Sequence, residues 1–135
     1  MADARLEWHG EEAKRRINRK IVQVLYKCVT LIAGRAKELL GVAGTDRVKG
    51  KKVGPVVRSK PGEPPRKQTG TLRRSVQVEV DEQSLTARVG TNVDYGKHLE
   101  LGTRRSIKPR PWLRPAFLWA TTRINAWLST LSGDL

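Results

Sequence analysis

The side chains able to do chemistry fall into two unequal groups: a few scattered imidazoles and carboxylates, and a large population of cations. His98 and Glu100 are the nearest approach to a metal pair, but a spacing of two does not place them on one helix face. His9 stands far from both, and Cys28 is the one cysteine of the chain. No phosphate-binding glycine loop, paired-cysteine cluster or nucleophile elbow occurs. Acid–base, nucleophilic and metal chemistry therefore lack a constellation to work with, so the reading is of a non-enzyme that needs no cofactor.

The cations are concentrated in two places. Between Asp46 and Lys67 lie Arg47, Lys49, Lys51, Lys52, Arg58, Lys60, Arg66 and Lys67 against only Asp46 and Glu63. A second group, Arg104, Arg105, Lys108 and Arg110, has no acid among it. Groups of this kind meet DNA phosphates or acidic protein surfaces, or serve only as a solvated exterior. The chain as a whole carries 27 Lys and Arg against 13 Asp and Glu, a net charge of +14. Cys28 sits among apolar residues with no cysteine to pair with, which reads as a small core hydrophobe of a protein made in a reducing cytoplasm. The first residues lack the basic-then-apolar pattern of a cleavable signal, and no apolar run approaches membrane-spanning length. Neither export by such a signal nor a membrane span is expected.

At 135 residues the chain has the length of a single domain with one modest core. From about Glu11 to Leu40, Ile17, Ile21, Val24, Leu25, Cys28, Leu31, Ile32, Ala36 and Leu39 step by three and four, which predicts one long amphipathic helix. Lys14, Arg15, Arg19, Lys20, Lys27, Arg35 and Lys37 take its other face, and Gly41 and Gly44 end it. Thirty helical residues make a rod of about 45 Å, longer than a compact domain of this size can cover. Either the rod breaks near Gly34, or part of its stripe packs on another subunit. The second is favoured because the stripe continues on both sides of the glycine.

Residues 41–68 are rich in Gly, Pro and Lys and have no sustained periodicity, which predicts an extended basic loop that orders against a partner or stays mobile. Residues 69–135 should hold the sheet and the remaining helices. A turn with a short helical piece leads into a strand with Val76, Val78 and Val80 on one face. A second strand follows from Leu85, with Ala87 and Val89 on the same face, and the two pair as an antiparallel hairpin. Asp94 is placed to cap a short helix that Gly102 ends. A further edge strand is expected around Ile107. Pro115 opens a last helix with the stripe Phe117, Ala120, Ile124, Trp127, Leu128 and Leu131. The predicted class is α+β: a long N-terminal helix, an extended basic loop, a small antiparallel sheet, a short helix and a C-terminal helix, with helices on one face of the sheet.

Three stretches, taken in order, resemble the tail-completion or neck family of tailed phages, small head-to-tail joining proteins often called minor tail components. They are Ser59-Lys-Pro-Gly-Glu-Pro-Pro-Arg-Lys-Gln-Thr-Gly-Thr-Leu-Arg-Arg-Ser-Val, Gly90-Thr-Asn-Val-Asp-Tyr-Gly-Lys-His-Leu-Glu-Leu-Gly-Thr and Pro109-Arg-Pro-Trp-Leu-Arg-Pro-Ala-Phe. The first is similar to the family's loop and Thr-Gly-x-Leu-x-x-Ser turn, the second to its Tyr-Ala-x-x-x-Glu-x-Gly-Thr segment, and the third to its Pro-x-x-x-Pro-Ala helix opening. The chain departs at Gly96, where the family more often has Ala, at Leu101, where an aromatic is common, and at Trp112, where Phe is common.

The motif positions Gly70, Leu72, Tyr95, Glu100, Gly102, Thr103, Pro111 and Pro115 are read as structural. Gly70 and Gly102 would free the backbone at turns, and the two prolines would fix the approach to the last helix. Tyr95, Leu99 and Trp112 would fill the space between short helix and sheet. Glu100 would pair with Arg104 or Arg105, or reach a neighbouring subunit.

The resemblance implies a virion protein at the head-tail junction, made in the host cytoplasm. It would form a homo-oligomeric ring, hexamer or dodecamer, between phage connector and tail proteins, with possible non-specific contact to genomic DNA. Charge arithmetic limits that last contact. A 20 Å collar of duplex encloses roughly 12 phosphates, whereas six copies bring a charge on the order of +80. The basic loops are therefore expected to meet mainly acidic neighbouring proteins. The alternative is a free, sequence-independent nucleic-acid-binding protein, opposed by the absence of a recognition-helix motif and by only 5% aromatic residues.

Overall fold

The three-and-four spacing of apolar residues produces a single helix, α1 (Gly10–Leu39), that passes through Gly34 without a break. The computed structural model describes residues 3–42, 46–48, 51–53, 58–67 and 70–132. Glu11 and Glu12 in the first turn and Lys37 in the last suit the helix dipole. Burial is confined to the C-terminal half, at Val29, Ile32, Ala33, Ala36 and the capping Leu40, while residues 11–17 are all exposed.

Among the described residues, the rest of the chain adds two antiparallel strand pairs and three helices. Strands β1 (Asp46–Val48) and β2 (Lys51–Val53) pair antiparallel, Arg47 opposite Lys52. The segment expected to be loop throughout thus holds a small ladder, which three-residue strands are too short to announce through alternation. A five-residue helix, α2 (Thr71–Ser75), runs directly into β3 (Val76–Asp81), which pairs with β4 (Thr86–Thr91) in the register Val76 to Thr91, Val78 to Val89 and Val80 to Ala87. The turn is longer than the sequence suggests. Leu85 belongs to it, at φ 53°, and the second strand starts one residue later. Asp81 sets the turn by accepting the backbone N–H groups of Gln83 at 2.9 Å and Ser84 at 3.2 Å. The hairpin lies along α1, and Val78 remains partly exposed on that side.

Helix α3 (Asp94–Leu101) follows. Asp94 is its first residue and not its cap: Val93 occupies the cap position and no side chain bonds there. Helix α4 (Leu113–Ser132) packs antiparallel on α1, with Arg35 over the Trp119 ring and Lys27 over the Trp127 ring, eight residues apart on each helix and in opposite order. Two residues assigned from sequence to the solvated face of α1 therefore serve its contact with α4. Phe117, expected in the α4 stripe, is exposed, and the close approach is made by Ala116 and Ala120, both with no exposed surface.

The core joins Ala33, Ala36 and Leu40 of α1, Leu72 of α2, Val76 of β3, and Trp112 and Ala116, with Leu39, Val89, Leu99 and Leu113 packed around them. Trp112 is its largest member and is 1% exposed. Its indole N–H donates to the Gly96 carbonyl at 3.2 Å, which removes the cost of burying that group. Cys28, expected as a core residue, is only half-buried and is not a member of this core.

Candidate functional site

Two regions gather the residues that the sequence singles out: the junction between α3 and α4, and a basic surface beside it. Glu100 organises the junction. Its carboxylate accepts the backbone N–H groups of Trp112 at 2.7 Å, Leu113 at 2.9 Å and Arg114 at 2.8 Å. These are donors that the first turn of a helix leaves without intrahelical partners. Glu100 is therefore a cap supplied from another helix, where a negative charge also meets the positive end of the α4 dipole. The expected pairing with Arg104 or Arg105 does not form; both arginines are exposed. Pro115 is the third residue of α4, where its missing N–H costs nothing.

The eleven residues between α3 and α4 are tied down by their own backbone. Gly102 turns out of α3 at φ 73° and donates to the His98 carbonyl at 2.8 Å. Its α-carbon faces the Ile107 carbonyl and the Pro109 ring so closely that any side chain would stand within 3.0 Å of both. Thr103 N–H donates to the Ile107 carbonyl at 2.8 Å, and Thr103 Oγ1 accepts the Ile107 N–H at 3.0 Å. Ile107 thus closes a local turn, and the edge strand expected there does not form. Arg110 N–H donates to the Leu99 carbonyl at 2.6 Å. Pro111 leads from this point into the buried Trp112.

The two basic segments, distant in sequence, come together here. Gly62 N–H donates to the Pro109 carbonyl at 2.9 Å, which sets the Lys60 to Glu63 turn against the residues between Lys108 and Arg110. Arg58, Lys60 and Lys108 are exposed and Arg110 is half-buried. Arg66 and Lys67 turn to the other side, where Lys67 N–H donates to the Val42 carbonyl at 2.6 Å and closes the segment back onto the end of α1. Arg47, Lys51 and Lys52 lie on the β1–β2 ladder, and Lys49 falls outside the described residues.

Between the end of α1, α2, α3 and the returning Pro65 to Lys67 lies a pocket of about 350 Å³. Leu40, Leu72 and Leu99 form its apolar lining, and Arg66, Lys67 and Arg73 add positive charge. Gly70 enters α2 at φ 80° beside it. Tyr95 lines this pocket and stays 44% exposed, and so does not fill the space beneath α3. Leu72 and Thr91 reach that space first: a side chain at Gly96 would stand 2.7 Å from each.

Sequence reasoning passed over Arg73, whose Nε donates to the Lys37 carbonyl at 3.1 Å, and Trp119, which lies under both Arg35 and Arg123. It also passed over Leu6 and Trp8, which are 90% and 84% exposed. The signal for these two was present, since a leucine and a tryptophan stand among four carboxylates in an otherwise basic chain. Among the described residues, no three His, Cys, Asp or Glu side chains converge to hold a metal, and no helix is long and apolar enough to cross a membrane.

A long helix, two antiparallel strand pairs and a capped terminal helix define a small α+β fold. Residues 3–102 match the family described as "Bacteriophage HK97-gp10, putative tail-component", and the chain belongs to that family. The matched range ends at Gly102, so the Pro109 to Phe117 stretch and α4 lie beyond it. No curated protein and no solved structure matches the chain.

Proposed function

We propose that this phage tail component is a non-catalytic virion subunit that forms a closed ring of six or twelve copies at the head-tail junction. As a neck or tail-completion piece it would join the head connector to the tail and leave a path for DNA through its centre. The observation that carries the reading is the overhang of α1. It is 30 residues long against 20 for α4, and its first turns stand in solvent with Ile17 58% exposed. Apolar surface on a rod that its own fold leaves uncovered is what a neighbouring subunit would bury. Electron microscopy of intact particles tests the reading directly. Density for this chain in a ring between head and tail is the expected result, and its absence there refutes the role.

A second reading, sequence-independent binding of nucleic acid, draws support from the way Gly62 and Pro109 bring two basic segments side by side. A salt series separates the two. A free DNA-binding protein loses affinity steeply and linearly on a log-log plot, whereas a ring subunit binds DNA weakly and associates with protein.

A further inference from the structure

The protein carries its charge unevenly, with a short acidic stretch ahead of the basic run Lys14, Arg15, Arg16, Arg19 and Lys20 of α1. Its first twelve residues contain Asp3, Glu7, Glu11 and Glu12 against Arg5 alone, in a chain whose net charge is +14. The same stretch exposes Leu6 and Trp8 almost completely. At the opposite end of α1, beyond Leu39, lies the pocket with Leu40, Leu72 and Leu99 inside it and Arg66, Lys67 and Arg73 around it. One end offers an aromatic and an aliphatic side chain flanked by carboxylates. The other offers an apolar hollow flanked by cations.

We propose that residues 3–12 of one copy dock into this pocket on a second copy, with Trp8 or Leu6 entering it and Glu11 and its neighbours meeting Arg66 and Lys67. The proposal rests on the ring reading and deepens it by naming the contact. A pocket of about 350 Å³ is of a size to take one large side chain. Tyr95 and the arginines give an indole both an aromatic and a cationic neighbour.

The contact cannot be made within one chain. The 30 residues of α1 hold the two ends about 45 Å apart. The seven described residues ahead of Gly10 span about 25 Å at full extension. A donor end and an acceptor end on opposite poles of a rigid rod make a heterologous contact, which propagates head to tail and closes into a ring or runs on as a filament. The exposed ion pairs that hold the acidic end in the single chain, Glu12 with Arg16 at 2.7 Å and Glu7 with Arg5 at 3.5 Å, are weak and exchange readily for intermolecular ones.

Sedimentation of the full chain over a range of protein and salt concentrations tests this. Wild-type protein should associate in a concentration-dependent way, and added salt should weaken the association. A donor variant, Leu6→Ala with Trp8→Ala, and an acceptor variant, Arg66→Glu with Lys67→Glu, should each associate about 30-fold or more weakly, as for loss of a buried anchor. An equal mixture of the two should form heterodimers and nothing larger, since one good arm and one good pocket remain; this also shows that both variants fold. A wild-type chain that stays monomeric throughout, or variants that assemble as it does, overturns the proposal. Loss of association in the acceptor variant alone assigns the pocket to some other segment and overturns it too. The ring reading is judged separately, by particle density. Density with unaffected variants leaves the ring and removes this contact, and arm-dependent association without density does the reverse.

Discussion

The carboxylate of Glu100 accepts the backbone N–H of Trp112 at 2.7 Å, so a residue near the end of α3 begins α4 twelve residues later. With Leu113 and Arg114 also donating to it, this one side chain satisfies three amides and fixes the entry of the core tryptophan. Glu100→Ala should lower stability by about 2 kcal/mol, as for loss of a strong charged cap. Glu100→Gln should lose less, because an amide oxygen still accepts but brings no charge to the helix N-terminus. Urea denaturation measures both. An alanine variant within about 0.5 kcal/mol of wild type would remove Glu100 from this role.

Two glycines should respond to the same substitution with opposite sign. Gly34 lies inside α1 with open space where a side chain would stand, so Gly34→Ala should stabilise by about 1 kcal/mol through helix propensity and a less flexible unfolded chain. Gly102 has φ 73°, and an added carbon would stand 2.8 Å from the Ile107 carbonyl oxygen and 2.9 Å from Pro109. Gly102→Ala should therefore destabilise by roughly 1–3 kcal/mol. Paired thermal melts decide it. A stabilising Gly102→Ala would mean that the loop relaxes freely and does not rigidly join the helices.

These cases show what the sequence carried openly and what it did not. The period of α1 and the alternation of Val76, Val78 and Val80 were legible because each is a local pattern with one physical cause. Charge alone matches Glu100 with the nearby Arg104 and Arg105, but the first-turn amides of α4 compete for the same carboxylate and take it. Hydropathy puts Arg35 and Lys27 on the solvated face because it does not register a cation held over an indole ring. A glycine is required at Gly96 because Leu72 and Thr91 occupy the space a methyl group would need. That is a tertiary fact with no trace in neighbouring residues. The pocket beside Tyr95 combines four separate segments, and only the fold brings them together.

The hairpin turn should have its own acid transition. Backbone N–H donation from Ser84, aided by its hydroxyl and by the N–H of Gln83, holds the Asp81 carboxyl below the usual carboxylate range, with Arg88 adding to the effect. Because the folded-state value is depressed, the stabilisation is present above the unfolded carboxylate value near 4 and is lost as pH falls through the lower folded one. Protection of the Gln83 and Ser84 amides, taken relative to their intrinsic exchange rate, should fall as pH drops below the unfolded carboxylate value. Asp81→Asn should abolish that pH step while leaving the hairpin formed. Persistence of the step in the asparagine variant would assign it to another group.

The contact between α1 and α4 offers the most direct energetic test of the overhanging arrangement, because its polar part rests on few side chains. The Arg35 guanidinium lies 4.9 Å from the centre of the Trp119 ring, and Arg123 lies 3.7 Å from it. Arg35 bridges two helices, whereas Arg123 sits one turn from Trp119 on the same helix. Stacking across helices holds the rods together, but stacking within one helix is already satisfied before they meet. A double-mutant cycle of Arg35→Ala with Trp119→Leu should therefore give a coupling of about 0.5–1 kcal/mol in the unfolding free energy. Arg35→Lys should lose most of that coupling, since an ammonium lacks the planar face that stacks on indole. Arg123→Ala should change stability by no more than about 0.5 kcal/mol, as expected for an exposed pair along one helix. Equal coupling for Arg35 and Arg123 would show that the indole holds α4 to itself and not to α1, leaving the buried alanines Ala36, Ala116 and Ala120 as the main contact between the two helices.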